Sequence, residues 1–150
     1  MKTSLITFFM AMVPVIELRG ALPYGVVNGL SIWQTYVISV IGNLVPIPVL
    51  IVFTRKVFEW LRTKSAGLDR LVCKLENKAD QKKDIVEKWK FWGLMILVAI
   101  PLPGTGAWTG ALVAAMMDMR LKKAMPAIAV GVMVAGIIVA AITFGVDMII

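Results

Sequence analysis

Two apolar stretches in this chain are long enough to cross a bilayer, yet each is broken at its middle. Leu5–Leu30 carries Pro14, Glu17, Arg19, Gly20 and Pro23 near its centre. Phe91–Met117 carries Pro101-Leu102-Pro103-Gly104-Thr105-Gly106. A straight spanning helix would hold these breakers and two ionisable groups at the bilayer centre. A re-entrant hairpin avoids this: a half-helix enters, the chain turns at membrane depth, and a second half-helix leaves. Each arm needs only half of the roughly 30 Å core.

Two further apolar stretches are unbroken. Ile32–Phe53 and Ala124–Val146 each exceed the about 20 residues that a span requires. Pro46 and Pro48 should bend the end of the first, and Pro126 is expected in the first turn of the second. Hydrophobic residues make up 59% of the 150 and charged residues only 17%. A soluble chain this small could not bury so much apolar surface. The composition therefore points to an integral membrane protein with all-α secondary structure.

Charge sets the topology. Of 16 Lys and Arg residues, eleven lie between Arg55 and Lys90, and three more are Arg120, Lys122 and Lys123. If all four apolar stretches spanned, these two groups would face opposite sides. If the two broken stretches re-enter, all fourteen share one side, as the positive-inside rule requires. The expected layout is one membrane domain, 1–150. It comprises a re-entrant hairpin over 5–30, a transmembrane helix over 31–53, a cytoplasmic amphipathic helical segment over 54–90, a second hairpin over 91–117 and a transmembrane helix over 121–147. The basic charge is read as topology in an inner (plasma) membrane, and no nucleic-acid partner is expected.

The two apolar blocks read as one unit written twice with opposite orientation. Small residues recur every fourth position in the returning arms: Ala21, Gly25, Gly29 and then Gly106, Gly110, Ala114. Such ladders let helices approach closely in lipid. Inverted repeats with interrupted helices are a common transporter layout, with sites near the midplane. In the middle segment Leu68, Leu71, Val72, Leu75 and Ala79 share a helical face, and Cys73 reads as an apolar filler.

Glu17 and Arg19 are the groups that could carry chemistry. An ionisable side chain at membrane depth costs at least about 2.5–3.5 kcal/mol and signals function. A mutual ion pair bracing the turn is the structural alternative. The second turn has no charge, but Thr105, Gly104 and Gly106 offer backbone N–H groups beside a half-helix starting near Ala107. The candidate substrate and proton site is Glu17, Arg19, Pro23, Pro101, Pro103, Gly104, Thr105 and Gly106. Histidine is absent and there is one cysteine, so no metal site, cofactor or enzymatic reaction is expected.

Glu17-Leu18-Arg19-Gly20-Ala21-Leu22-Pro23, taken with Pro101-Leu102-Pro103-Gly104-Thr105-Gly106-Ala107-Trp108, resembles the family named putative small multi-drug export proteins. The layout is similar to that of the DedA superfamily of membrane transporters and lipid scramblases. The resemblance implies paired re-entrant hairpins, with acidic and arginine residues in proton coupling and lipid-phosphate handling.

The expected function is export or flipping of an amphipathic small molecule or lipid, coupled to protons through Glu17, with an anionic substrate held by Arg19. The alternatives are a cationic multidrug exporter and a non-transporting structural membrane protein. Two full spans and four half-length arms enclose the polar turns poorly, so a homodimer is expected.

Overall fold

The computed structural model describes residues 1–64, 66, 67, 69, 70, 83–102 and 104–145. Seven helices have defined bounds among them: α1 (Lys2–Met12), α2 (Glu17–Val27), α3 (Ile32–Leu44), α4 (Ile47–Lys64), α5 (Lys83–Ala99), α6 (Ala107–Met116) and α7 (Leu121–Phe144). No strand occurs among the described residues. The apolar face expected along Leu68–Ala79, Cys73, and the site candidate Pro103 lie outside them.

Two helices fit the expected spans by length and composition. Ile32–Lys64 and Leu121–Phe144 are long and apolar enough to cross a membrane, with mean hydropathy 2.3 and 2.6 over their most apolar 18 residues. α3 and α4 follow one another across a break at Val45-Pro46, where proline lacks the N–H that would continue the ladder. Two boundaries differ from expectation. α4 runs unbroken past 53 to Lys64, and α5 begins at Lys83 rather than 91. Both ends of the polar segment thus extend the neighbouring helices, because Lys, Glu and Arg are good helix formers and need no new nucleus. α7 begins at Leu121 as expected, and Pro126 falls in its second turn rather than its first, which leaves the Lys122 carbonyl without an intrahelical donor.

Each pair of short helices folds back on itself and packs on the span that follows. α1 and α2 pack together and on α3; α5 and α6 pack together and on α7. Lys90 Nζ, from the middle of α5, donates to the Met117 carbonyl just past the end of α6 at 3.1 Å. Arg55 of α4 lies 3.5 Å from Asp118, so the same end of the bundle gathers α4, α5 and the α6–α7 turn.

The turns that follow α2 and α6 are built alike, 89 positions apart. After α2 the chain passes Asn28, Gly29 (φ +90) and Leu30 to Ser31, the N-cap of α3. After α6 it passes Met117, Asp118 (φ 50) and Met119 to Arg120, the N-cap of α7. The Leu30 N–H reaches the Gly25 carbonyl at 3.0 Å, and the Met119 N–H reaches the Ala114 carbonyl at 2.9 Å. This is the six-to-one bond that closes a helix through a left-handed residue. The spans match in the same register. Gly42 of α3 meets the Phe8 carbonyl and Ala11 of α1; Gly131 of α7 meets the Met95 carbonyl and Val98 of α5. The correspondence therefore sets Ala21 against Gly110 and Gly25 against Ala114. The sequence ladder alone had set Gly25 against Gly110. A four-residue ladder slides by one helical turn without losing its small residues, so only the turn chemistry fixes its register.

The core is made of small residues. Ala11, Ala21, Ala107, Ala111, Ala114, Ala124 and Ala127 are fully buried, around Leu18, Leu22, Ile47, Ile51, Ile128 and Val132. Large side chains point outward instead: Phe9, Trp33, Val49, Phe53, Ile137 and Ile142 are all exposed. This inverts the soluble pattern and suits helices that pack closely and present bulk to lipid.

Candidate functional site

The breaks in the two short-helix pairs meet, with Glu17 and Gly106 buried at the contact and Pro14, Leu102 and Gly104 exposed around it. Pro14 interrupts the first pair, and α2 opens at Glu17. Glu17 has φ 48, a left-handed conformation that a side-chain-bearing residue adopts only at a cost. Its N–H is held by the Val13 carbonyl at 2.9 Å. Its side chain is 5% exposed and reaches across to the second turn.

There the carboxylate lies against Gly106, the N-cap of α6. A Cβ on Gly106 would collide with Glu17 Oε2 and come within 2.9 Å of Oε1. Gly106 has φ +129, so glycine is needed here for both backbone and space. The Trp108 N–H, among the first of α6, points at Glu17 Oε1 at 3.4 Å. A helix N-terminus leaves its first N–H groups unpaired and carries a partial positive charge. Glu17, from another helix pair, supplies the negative group that this end needs.

Arg19 serves the opposite end. α5 stops at Ala99, and the carbonyls beyond it need donors. Arg19 Nη1 donates to the Leu102 carbonyl. Arg19 Nη2 donates to the Thr105 carbonyl at 2.8 Å and the Thr105 hydroxyl at 3.0 Å, with the Ile100 carbonyl at 3.4 Å. A cation also suits the negative C-terminal end of α5. Thr105 Oγ1 in turn lies 2.7 Å from the Ile100 carbonyl and 2.8 Å from that of Leu102. One guanidinium and one hydroxyl thus collect the loose carbonyls of the turn.

Glu17 and Arg19 do not form the mutual pair that the sequence allowed. The described ion pairs, Arg55–Asp118 and Arg62–Asp69, involve neither. Each charge is directed to the other hairpin: Glu17 to the start of α6, Arg19 to the end of α5.

Other candidates take lesser places. Pro23 lies inside α2 and removes the N–H that the Arg19 carbonyl would accept. Pro101 is half-buried in the second turn. Gly104 has φ +85 with open space around it, and its carbonyl accepts from the Thr109 hydroxyl at 2.9 Å. Sequence reasoning did not assign a role to Trp108. Its indole Nε1–H donates to the Met12 carbonyl at the end of α1 at 3.2 Å. In the 89-residue correspondence Trp108 stands where Arg19 stands in the first unit. Each of the two reaches the carbonyls that end the first arm of the other unit. Among the described residues no three His, Cys, Asp or Glu side chains gather as metal ligands.

A family model described as "Putative small multi-drug export protein" matches residues 17–138. The chain belongs to this family. The match begins at Glu17 and takes in Arg19, the second turn, Trp108 and most of both spans. The description of the small multi-drug export family, together with two spans of sufficient length, points to a membrane protein that exports small molecules. No curated protein and no solved structure gave a significant match.

Proposed function

We propose that this chain is an inner-membrane exporter of amphipathic molecules, with Glu17 as its proton site and the meeting point of the two broken hairpins as its substrate site. One observation carries the reading. A buried carboxylate, held in a costly backbone conformation, faces the N-terminus of a half-helix from the other unit. Such strain persists where the surroundings enforce it, and it clusters at working sites.

In this reading the two hairpins re-enter and the two units are inserted in opposite directions. The fold-back of α5 and α6 supports it, since Lys90 and Met117 share one end. So do the alike turns at Gly29 and Asp118. With both hairpins re-entrant, Arg55, Lys90, Arg120, Lys122 and Lys123 all face the cytoplasm. A second copy of the chain would cover the lipid side of the hairpins.

The charge of the site follows the protonation of Glu17. With Glu17 ionised, Glu17 and Arg19 sum to zero. With Glu17 protonated, the positive charge of Arg19 remains, because carbonyl partners satisfy its donors without neutralising it. An anionic amphiphile, either lipid or drug, should therefore bind better as pH falls. One observation favours the second reading, a cationic drug. The Nη groups of Arg19 are occupied by the turn, which leaves Glu17 as the group with acceptor capacity to spare. A cation should bind better as pH rises.

The test is flux in proteoliposomes under an imposed pH gradient, with fluorescent phospholipid, anionic dye and cationic dye as separate probes. Flux that rises as pH falls for the anionic probes supports the first reading. The opposite sign for the cation supports the second. Absence of flux for every probe would leave Glu17 and Arg19 as a brace and overturn the proposal.

A further inference from the structure

The 89-residue correspondence exposes an asymmetry in the core. In the second unit, Leu94 of α5 and Ala124, Ile128 and Val132 of α7 are buried at no more than 2% exposure. Thr35, Ser39 and Asn43 of α3 match the last three at 89 positions, and Thr7 of α1 matches Leu94 at the 87 positions that relate Phe8 and Ala11 beside Gly42 to Met95 and Val98 beside Gly131. These are buried just as deeply, at no more than 3%. The same packing task is done by four apolar residues in one unit and four polar ones in the other. Packing therefore does not call for the polar groups.

Their hydrogen bonding is incomplete. Ser39 Oγ and Asn43 Oδ1 are buried without a partner. The Thr7 and Thr35 hydroxyls donate to the Thr3 and Ser31 carbonyls at 2.8 and 2.9 Å, which leaves their oxygens as acceptors. Those two oxygens converge over Gly25: a Cβ there would lie 3.0 Å from Thr35 Oγ1 and 3.1 Å from Thr7 Oγ1. A buried polar group without a partner is costly, and in native proteins ordered water commonly satisfies it.

The groups also form a row. Thr35, Ser39 and Asn43 follow at four-residue intervals on one face of α3, covering about 12 Å. Thr35 lies in the first turn of α3, beside its N-cap Ser31. Asn43 falls at the middle of the apolar stretch Ile32–Phe53. The row thus runs from one end of the span to half depth.

We propose that Thr7, Thr35, Ser39 and Asn43 line a seam, closed in this structure, that opens to admit water from the N-terminal end of α3 to the bilayer midplane, and that the second unit has no counterpart. On opening, water takes the acceptor and donor positions that the protein leaves open. Use of this passage by protons on their way to Glu17 rests on the export reading. The hydration itself does not, and its test reads water alone.

Single cysteines at positions 39 and 43, and at the matched positions 128 and 132, would be placed in protein carrying Cys73→Ser and reconstituted in liposomes. The probe is a small cationic methanethiosulfonate, which needs water to reach and ionise a thiol. Reaction at 39 and 43 at least tenfold faster than at 128 and 132 is expected. Equally slow reaction at all four would overturn the proposal. Variants that fail to elute as the parent protein are set aside in favour of a measurement on the unaltered chain. In nanodiscs the Asn43 side-chain NH₂ should give nuclear Overhauser peaks to water. A folded protein with no such peak would contradict the passage.

Discussion

The Glu17 carboxylate occupies the space in which a side chain on Gly106 would stand. The two residues hold matching places in the two units, 89 positions apart. Both have left-handed backbone, with φ 48 and φ 129. The contact joins the start of α2 to the start of α6, so the carboxylate of the first helix pair is held by the turn of the second.

Gly106→Ala should therefore cost more than Gly104→Ala. At Gly104 a methyl group meets open space, and only the backbone conformation resists, by about 1–2 kcal/mol. At Gly106 the methyl also displaces Glu17. Thermal unfolding in detergent should show the larger fall for Gly106→Ala, and equal falls would contradict the contact.

Arg19→Lys should destabilise the protein although it keeps the charge. A lysine cannot spread donors over the carbonyls of Leu102, Ile100 and Thr105 as the guanidinium fork does. Thr105→Val removes the hydroxyl that links the same carbonyls. Each change is expected to cost about 1–3 kcal/mol. The double variant should cost less than the two together, because they act on one network. Strict additivity in unfolding midpoints would count against a shared clamp.

Glu17→Gln should fold, since the amide oxygen can still accept the Trp108 N–H. It cannot exchange a proton. Flux, where measured, should persist at one pH and lose its pH dependence. A Glu17→Gln protein with the parental pH profile would remove Glu17 from the proton role.

Gly42→Ala and Gly131→Ala should fail alike. A methyl group would come within 2.6 Å of the Phe8 carbonyl in one and 2.8 Å of the Met95 carbonyl in the other. Overpacking of this kind costs about 1–3 kcal/mol. Gly93→Ala is the control. Nothing lies within 4 Å of the added methyl, and alanine in a helix gains about 0.5–1 kcal/mol. Midpoints for the first two should fall together while that of Gly93→Ala holds or rises.

Much of this was legible in the residues. Apolar length marked the two spans, and Pro and Gly marked the breaks. A carboxylate and a guanidinium inside apolar sequence marked the candidate site. The partners of Glu17 and Arg19 were not legible, because they are backbone groups: the Trp108 N–H and the carbonyls of Ile100, Leu102 and Thr105. Backbone donors and acceptors occur at nearly every residue and leave no mark in composition. The register that relates the two alike turns was hidden for a related reason. It is set by the left-handed residues Gly29 and Asp118, and an aspartate and a glycine do not look alike in sequence. The role of Trp108 was masked by its chemistry, since a tryptophan and an arginine share little beyond an N–H to donate.

Sidedness of the charged ends tests the central claim most directly, namely that both broken segments turn back at membrane depth. Single cysteines replacing Lys2, Asn28, Lys64 and Lys122, in protein carrying Cys73→Ser, would be labelled in intact cells with an impermeant maleimide and again after permeabilisation. Positions 64 and 122 should label only after permeabilisation, and positions 2 and 28 should label in intact cells. Labelling of 64 and 122 from opposite sides would mean that the segment between them spans, and it would contradict the account.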